Sequence, residues 1–236
     1  MKINDVIAWL SGHKDERIKS IYQKNNPIEV MGVKLTDLRE FAKYIGMDQD
    51  LADDCYDYPL YETKMLATMI CSPKLMTHEK IKQWVMKANQ TNIVDQGIVH
   101  LMLIDHSSYA KYLSWCTDEN HDLRYGGFAF LASYFRQADL NEINIHESTN
   151  LLSHIENTIL QESLIIQNAM NNAVVMAGLH VPLLVMKATE VAMKIGYILP
   201  LKVKNSCNIQ SASDYLVRYQ DNPKYSRVAR LRQQKG

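Results

Sequence analysis

The chain has 236 residues, of which 47% are apolar, enough for one large or two small domains around a sizeable core. Nine Gly and six Pro are too little turn chemistry for a β-sandwich or a doubly wound sheet, and suit helices joined by short loops. The 26 basic and 26 acidic side chains cancel overall, but residues 181–236 hold ten of the former against three of the latter, so only the C-terminal quarter has the charge balance of a nucleic-acid binder.

Helical periodicity runs along most of the chain. Ile3, Val6, Ile7 and Leu10 share one face, and Ile18, Ile21 and Tyr22 resume the pattern after Ser11-Gly12-His13. Asn25-Asn26-Pro27 ends that second segment. Thr36 is placed to cap a helix carrying Leu38, Phe41, Ala42 and Ile45, with Gly46 after it. Asp48 starts the next, to about Tyr58, and Pro59 opens another through Met65, Leu66, Met69 and Ile70. Thr77 caps a helix with Ile81, Trp84, Val85 and Ala88, Asn92 caps one through Ile104, and Ser107 caps one through Trp115. Further helices are predicted at 119–136, 147–160, 162–178, 182–195 and 211–219. Residues 201–211 read as an extended loop, and the basic end, 223–236, as a flexible tail. Helix pairs recurring every ~35–40 residues with short connections describe an all-α solenoid of antiparallel helix pairs; a compact bundle is the alternative. The domain boundaries are 1–222 for one helical-repeat domain and 223–236 for the tail.

No apolar run approaches the ~18 residues that cross a bilayer. Met1 to Leu10 carries Lys2 and Asp5 and lacks an apolar signal core. The expectation is a cytoplasmic protein without a membrane partner. Cys55, Cys71, Cys116 and Cys207 form no C-x-x-C pair and read as packed free thiols. His78-Glu79 and His146-Glu147 lack a second His four residues on, and no phosphate loop or nucleophile elbow is present. Metal and cofactor chemistry are disfavoured.

Two positions carry candidate chemistry. Asp95 shares a helical face with Ile98, Val99 and Met102, and a carboxylate facing inward needs a reason because an unpaired buried charge is costly. The bland reason is that Asp95 is the third residue after an Asn92 cap, where an acid favours the helix start. Arg124 precedes Tyr125-Gly126-Gly127-Phe128; glycines in a helix permit close approach by a neighbouring helix or a ligand. Its bland reading is a surface ion pair with Asp122 or Glu119.

From about residue 15 to 219 the sequence resembles the AlkD family of DNA alkylation repair proteins. The resemblance rests on the order and spacing of Tyr22-x-Lys24-Asn25-x-Pro27, Met31-Gly32-Val33-Lys34-x-x-x-Leu38-Arg39, Tyr61-Glu62-x-Lys64-x-x-Ala67, Asp95 and Arg124, followed by Ala192-Met193-Lys194-Ile195-Gly196 and Ser206-Cys207. It implies a monomeric HEAT-like solenoid whose concave face holds duplex DNA, and a glycosylase that releases N3- and N7-alkylated purines without metal or cofactor. In that reading Asp95 matches the family's carboxylate, which stabilises oxocarbenium character on the sugar. Arg124 matches its arginine, which grips a phosphate, beside Tyr125. Thr91 and Asn172 stand where active members carry tryptophans, so two aromatic walls that would contact a cationic base are absent. Lys202, Lys204, Arg227, Arg230 and Arg232 are assigned to phosphate contacts. The competing reading is a non-catalytic helical-repeat module that binds nucleic acid or protein.

Overall fold

The computed structural model describes residues 1–24, 27–198 and 211–234. Within them the secondary structure is helical, with two isolated bridges, Glu29 to Leu60 and Tyr197 to Ser211. Contacts divide the chain into two compact units, Met1–Tyr109 and Ala110–Gly236.

The first unit contains helices Ile3–Gly12, Glu16–Gln23, Leu35–Ile45, Gln49–Asp57, Tyr61–Ile70 and His78–Lys87, then a continuous helical run from Thr91 to Ile104. Asp48 and Thr77 cap as expected, accepting from the N–H groups of Leu51 and Lys80. Gly46 closes its helix at φ 74°, its N–H bonded to the Ala42 carbonyl. Two boundaries up to helix Tyr61–Ile70 differ from expectation. Thr36 lies inside its helix, after Lys34 at the cap, and Pro59 stays outside, because the Leu60 backbone is extended and bridges Glu29.

Helix Tyr61–Ile70 is this unit's central element, packed on Leu35–Ile45 and Gln49–Asp57. Almost every residue in it is buried, polar ones included. Glu62 has no exposed surface. Its carboxylate accepts the N–H groups of Met31 at 3.1 Å, Gly32 at 2.7 Å and Val33 at 3.2 Å. Those three donors belong to an extended segment with no ladder partner, and the carboxylate supplies what a strand would have. Gly32 has φ +91°, and a Cβ there would lie 2.5 Å from the Asp15 carbonyl oxygen and 2.6 Å from Lys19 Cβ, so no larger residue fits. Lys64 is 5% exposed; its Nζ donates to the Tyr56 carbonyl at 2.6 Å and sits 4.5 Å from the Tyr56 ring centroid. The motif residues Glu62 and Lys64 are therefore structural.

The second unit is organised by helix Leu164–His180, whose neighbours are His121–Gln137, Val185–Ile195, Ala212–Tyr219 and Arg227–Gln233. Asn120 caps His121–Gln137 and Ser211 caps Ala212–Tyr219. A Cβ on Gly127 would lie 2.5 Å from the Cys116 backbone nitrogen and 2.7 Å from the Trp115 carbonyl carbon. This glycine serves close helix packing, and a ligand is not its reason. Cys55, Cys71 and Cys116 are buried free thiols; burial pushes the Cys71 thiol up to about 11 and Cys55 up to about 12.

The basic end of the chain departs from the expected loose tail. Arg227–Gln233 is a helix with Val228 and Ala229 buried. Ser226 caps it by accepting from the Ala229 N–H while its hydroxyl donates to the Leu179 carbonyl, both at 3.0 Å. The cap thus joins two helices in one residue. No single helix among the described residues is long and apolar enough to cross a membrane.

Candidate nucleic-acid interface

Asp95 lies in the first unit on a run that changes pitch. Thr91–Ile93 is α-helical, Val94–Ile98 forms a π turn, and Val99–Ile104 returns to α. The N-cap is Gln90, whose side chain accepts from the Asn92 N–H, so the expected Asn92 cap is two positions too late. The π turn also breaks the regular 100° step on which the inward assignment of Asp95 depended. Ile98, Val99 and Met102 are buried, whereas Asp95 is exposed. The neighbouring Gly97 is buried, and a Cβ on it would lie 2.5–2.9 Å from three atoms of the Thr68 side chain. This packing holds the turn against helix Tyr61–Ile70. Thr91 is half-buried, with its hydroxyl 3.2 Å from Gln90 Oε1.

Arg124, Tyr125 and Asn172 belong to the second unit and are half-buried. Arg124 is held by groups of its own unit. Its Nε lies 2.8 Å and its Nη2 3.2 Å from the two carboxylate oxygens of Glu162, with the side chains 20% and 15% exposed. Its Nη1 donates to the carbonyls of Asp118 at 2.6 Å and Glu119 at 3.1 Å. The partner is thus neither Asp122 nor the Glu119 carboxylate but a residue 38 positions away. Only Nη2 is hydrogen-bonded to Glu162; Nε is buried at ion-pair distance from it without a hydrogen bond of its own. The guanidinium edge with which an arginine grips a phosphate is thus covered by a carboxylate of the same unit. Burial holds the nearby His154 imidazole below its ordinary range, with Glu162 pulling it up and Arg124 pushing it down.

Of the cations assigned to phosphate, Lys202 and Lys204 lie outside the described residues. Arg227 is committed to structure: its guanidinium donates to the carbonyls of Ala138, at 2.9 Å, and Arg136. These close the C-terminal end of helix His121–Gln137. Arg230 and Arg232 are exposed. Arg230 donates through Nη1 alone to the Pro223 carbonyl at 2.7 Å, and Arg232 makes a solvent-facing 3.3 Å pair with Asp221, worth little in water. Sequence reasoning passed over Arg136 and Lys224, both exposed, because one closes a long apolar helix and the other sits in a turn. Among the described residues no group of three or more His, Cys, Asp or Glu side chains is placed to hold a metal ion.

Residues 6–202 match the DNA alkylation repair enzyme family. The chain belongs to that family. No curated protein matches it. Its fold resembles a solved structure described as a new family of proteins related to the HEAT-like repeat DNA glycosylases with affinity for branched DNA structures. The TM-score is 0.82 at 22% identity, covering 97% of this chain and 98% of the other. The fold of this alkylation-repair family member is therefore the HEAT-like helical repeat. Its family motifs divide into a structural group, around Glu62, Lys64 and Gly32, and a group open to solvent, around Asp95.

Proposed function

We propose that this member of the DNA alkylation repair family binds DNA, with a preference for branched over linear duplex, and does not excise bases. The observation that carries this is Arg124. A phosphate-gripping arginine must present its fork to the ligand, and this fork is closed by Glu162 and two carbonyls. Displacing Glu162 would strand a carboxylate only 15% exposed, at a cost of about 3–5 kcal/mol for a buried pair broken on one side. Thr91 and Asn172 supply no aromatic wall for a cationic base. The solved relative's affinity for branched DNA, together with the exposed Arg136, Arg230 and Arg232, supports a backbone-directed mode of binding.

Base excision stays as the second reading because of one feature. Asp95 is exposed on a π turn, a distortion often found at functional sites, and a carboxylate there can face a deoxyribose. Competition titration of the purified chain between a four-way junction and linear duplex of equal length separates binding modes. The proposal expects the junction to win by about tenfold, with log affinity falling linearly with log salt. Equal affinity for both forms would contradict it.

A further inference from the structure

The second unit contains a cavity of about 520 Å³ lined by Arg136, Met176, His180, Tyr215, Lys224, Tyr225 and Arg230, with Leu179 and Gln137 completing the wall. We propose that this cavity is a binding site for a phosphorylated nucleotide, either a free mononucleotide or the phosphate-bearing end of a DNA strand.

The cavity is a built feature. Its floor is the end of helix Leu164–His180, and its outer wall is the C-terminal helix. Ser226 fixes that helix to the Leu179 carbonyl, and Arg227 fixes it to the Ala138 and Arg136 carbonyls. Three cations line the cavity and no carboxylate does. A helix C-terminus draws cations to its carbonyls, and this accounts for Arg227; one nitrogen of Arg230 is taken by the carbonyl of Pro223 in the preceding turn. These contacts do not account for the rest. The Arg136 guanidinium makes no hydrogen bond or ion pair among the described residues. Lys224 Nζ lies 5.4 Å from the Tyr225 ring centroid and makes no ion pair among the described residues. His180 is 6% exposed, and its Nδ1 is buried without a hydrogen-bond partner. A native structure seldom leaves such an atom unpaired. Burial lowers this imidazole to about 4, and the fields of Arg227, Arg136 and Arg230 add to the effect. The cationic field therefore reaches the cavity floor.

The ligand class follows from these groups. The Arg136 fork, the remaining donors of Arg230 and an ammonium, with no acid lining the cavity among the described residues, select a multiply charged oxyanion. Tyr215 and Tyr225 line the same cavity, and a volume of this size suits a mononucleotide better than a bare anion. Tyr219 holds both rings in place, with centroids 4.5 Å from Tyr215 (tilted) and 4.8 Å from Tyr225 (edge-on), and aromatic side chains at a phosphate site add contact area for a base.

Neither family membership nor the junction-binding proposal enters this inference, and it stands if that proposal fails. The test is calorimetric titration of the full chain with inorganic phosphate, with dAMP, and with a short single-stranded oligonucleotide carrying either a 5′-phosphate or a 5′-hydroxyl. The result expected is saturable binding of dAMP or the phosphorylated oligonucleotide, about tenfold or more tighter than phosphate or the 5′-hydroxyl strand. Arg136→Gln and Tyr225→Leu, both on exposed residues, should each weaken it by about tenfold while leaving Tm in place. Stronger binding of dAMP identifies a free nucleotide as the source, and stronger binding of the oligonucleotide a strand end. Binding of inorganic phosphate as tight as dAMP would overturn the nucleotide assignment. So would failure of every probe to bind below about millimolar, or affinities unchanged within about twofold in Arg136→Gln.

Discussion

Replacing Arg124 by Met removes the guanidinium while keeping much of the unbranched stem. The substitution deletes contacts of 2.8 and 3.2 Å to Glu162 and of 2.6 and 3.1 Å to the Asp118 and Glu119 carbonyls. Hydrogen bonds to charged groups contribute ~1.5–3 kcal/mol each when intact, but the carbonyls can recover water and the pair is partly open. A net loss of about 2–4 kcal/mol follows, most of it from the stranded Glu162 carboxylate. At ~2–4 °C per kcal/mol for a chain of this size, Tm should fall by roughly 5–12 °C. Adding Glu162→Met to the same protein should restore about half of the loss, because neither charge is then buried alone. Thermal unfolding followed by circular dichroism measures both, and a junction-DNA titration of the folded variants completes the test. Affinity should stay within about twofold of the parent. An unchanged Tm with affinity reduced about tenfold would show that Arg124 meets phosphate after all, and would refute the structural role.

Glu62→Gln should cost about 2–3 kcal/mol in urea unfolding, because the amide turns an N–H toward one of three backbone donors and weakens the bonds to the other two. A midpoint equal to the parent's would remove Glu62 from the account. Gly127→Ala, which gains ~1 kcal/mol in an open helix, should instead destabilise by about 1–3 kcal/mol, since the new methyl meets backbone atoms of Trp115 and Cys116 at under 3 Å. His180 is neutral in the fold down to about pH 4 and in the unfolded chain only down to about 6.5. Its contribution is therefore fully present above pH 6.5 and is lost as pH falls toward 4, by up to about 3 kcal/mol. His180→Leu should flatten the stability profile over that window; an unaltered slope would mean that another group titrates there.

Much of the helical frame was legible because its signals are local. Asp48 and Thr77 cap through their own next turn, and Gly46 ends a helix as a glycine after the last apolar residue does. The misjudged features depend on atoms distant in sequence or on pitch. Asp95 was assigned inward by a 3.6-residue rule, and a π turn of five residues defeats that rule. The Arg124–Glu162 pair spans 38 positions, so composition near Arg124 pointed to Asp122 and Glu119. The C-terminal helix is short and basic, and charge density suggested looseness. The sign that could have found it is Ser226 as a cap before Val228, Ala229 and Leu231. Glu62 was recognised as part of a motif, but its reason, three amide donors on a segment 30 residues earlier, exists only once the chain is folded.

Release of 7-methylguanine from a methylated four-way junction, measured with the junction saturated by protein, separates DNA binding from base excision. Full occupancy of the DNA with release at the spontaneous rate, and no change on Asp95→Asn, is the expected outcome. Release above the spontaneous rate that disappears in Asp95→Asn, with binding retained, would contradict it and establish the exposed carboxylate as catalytic.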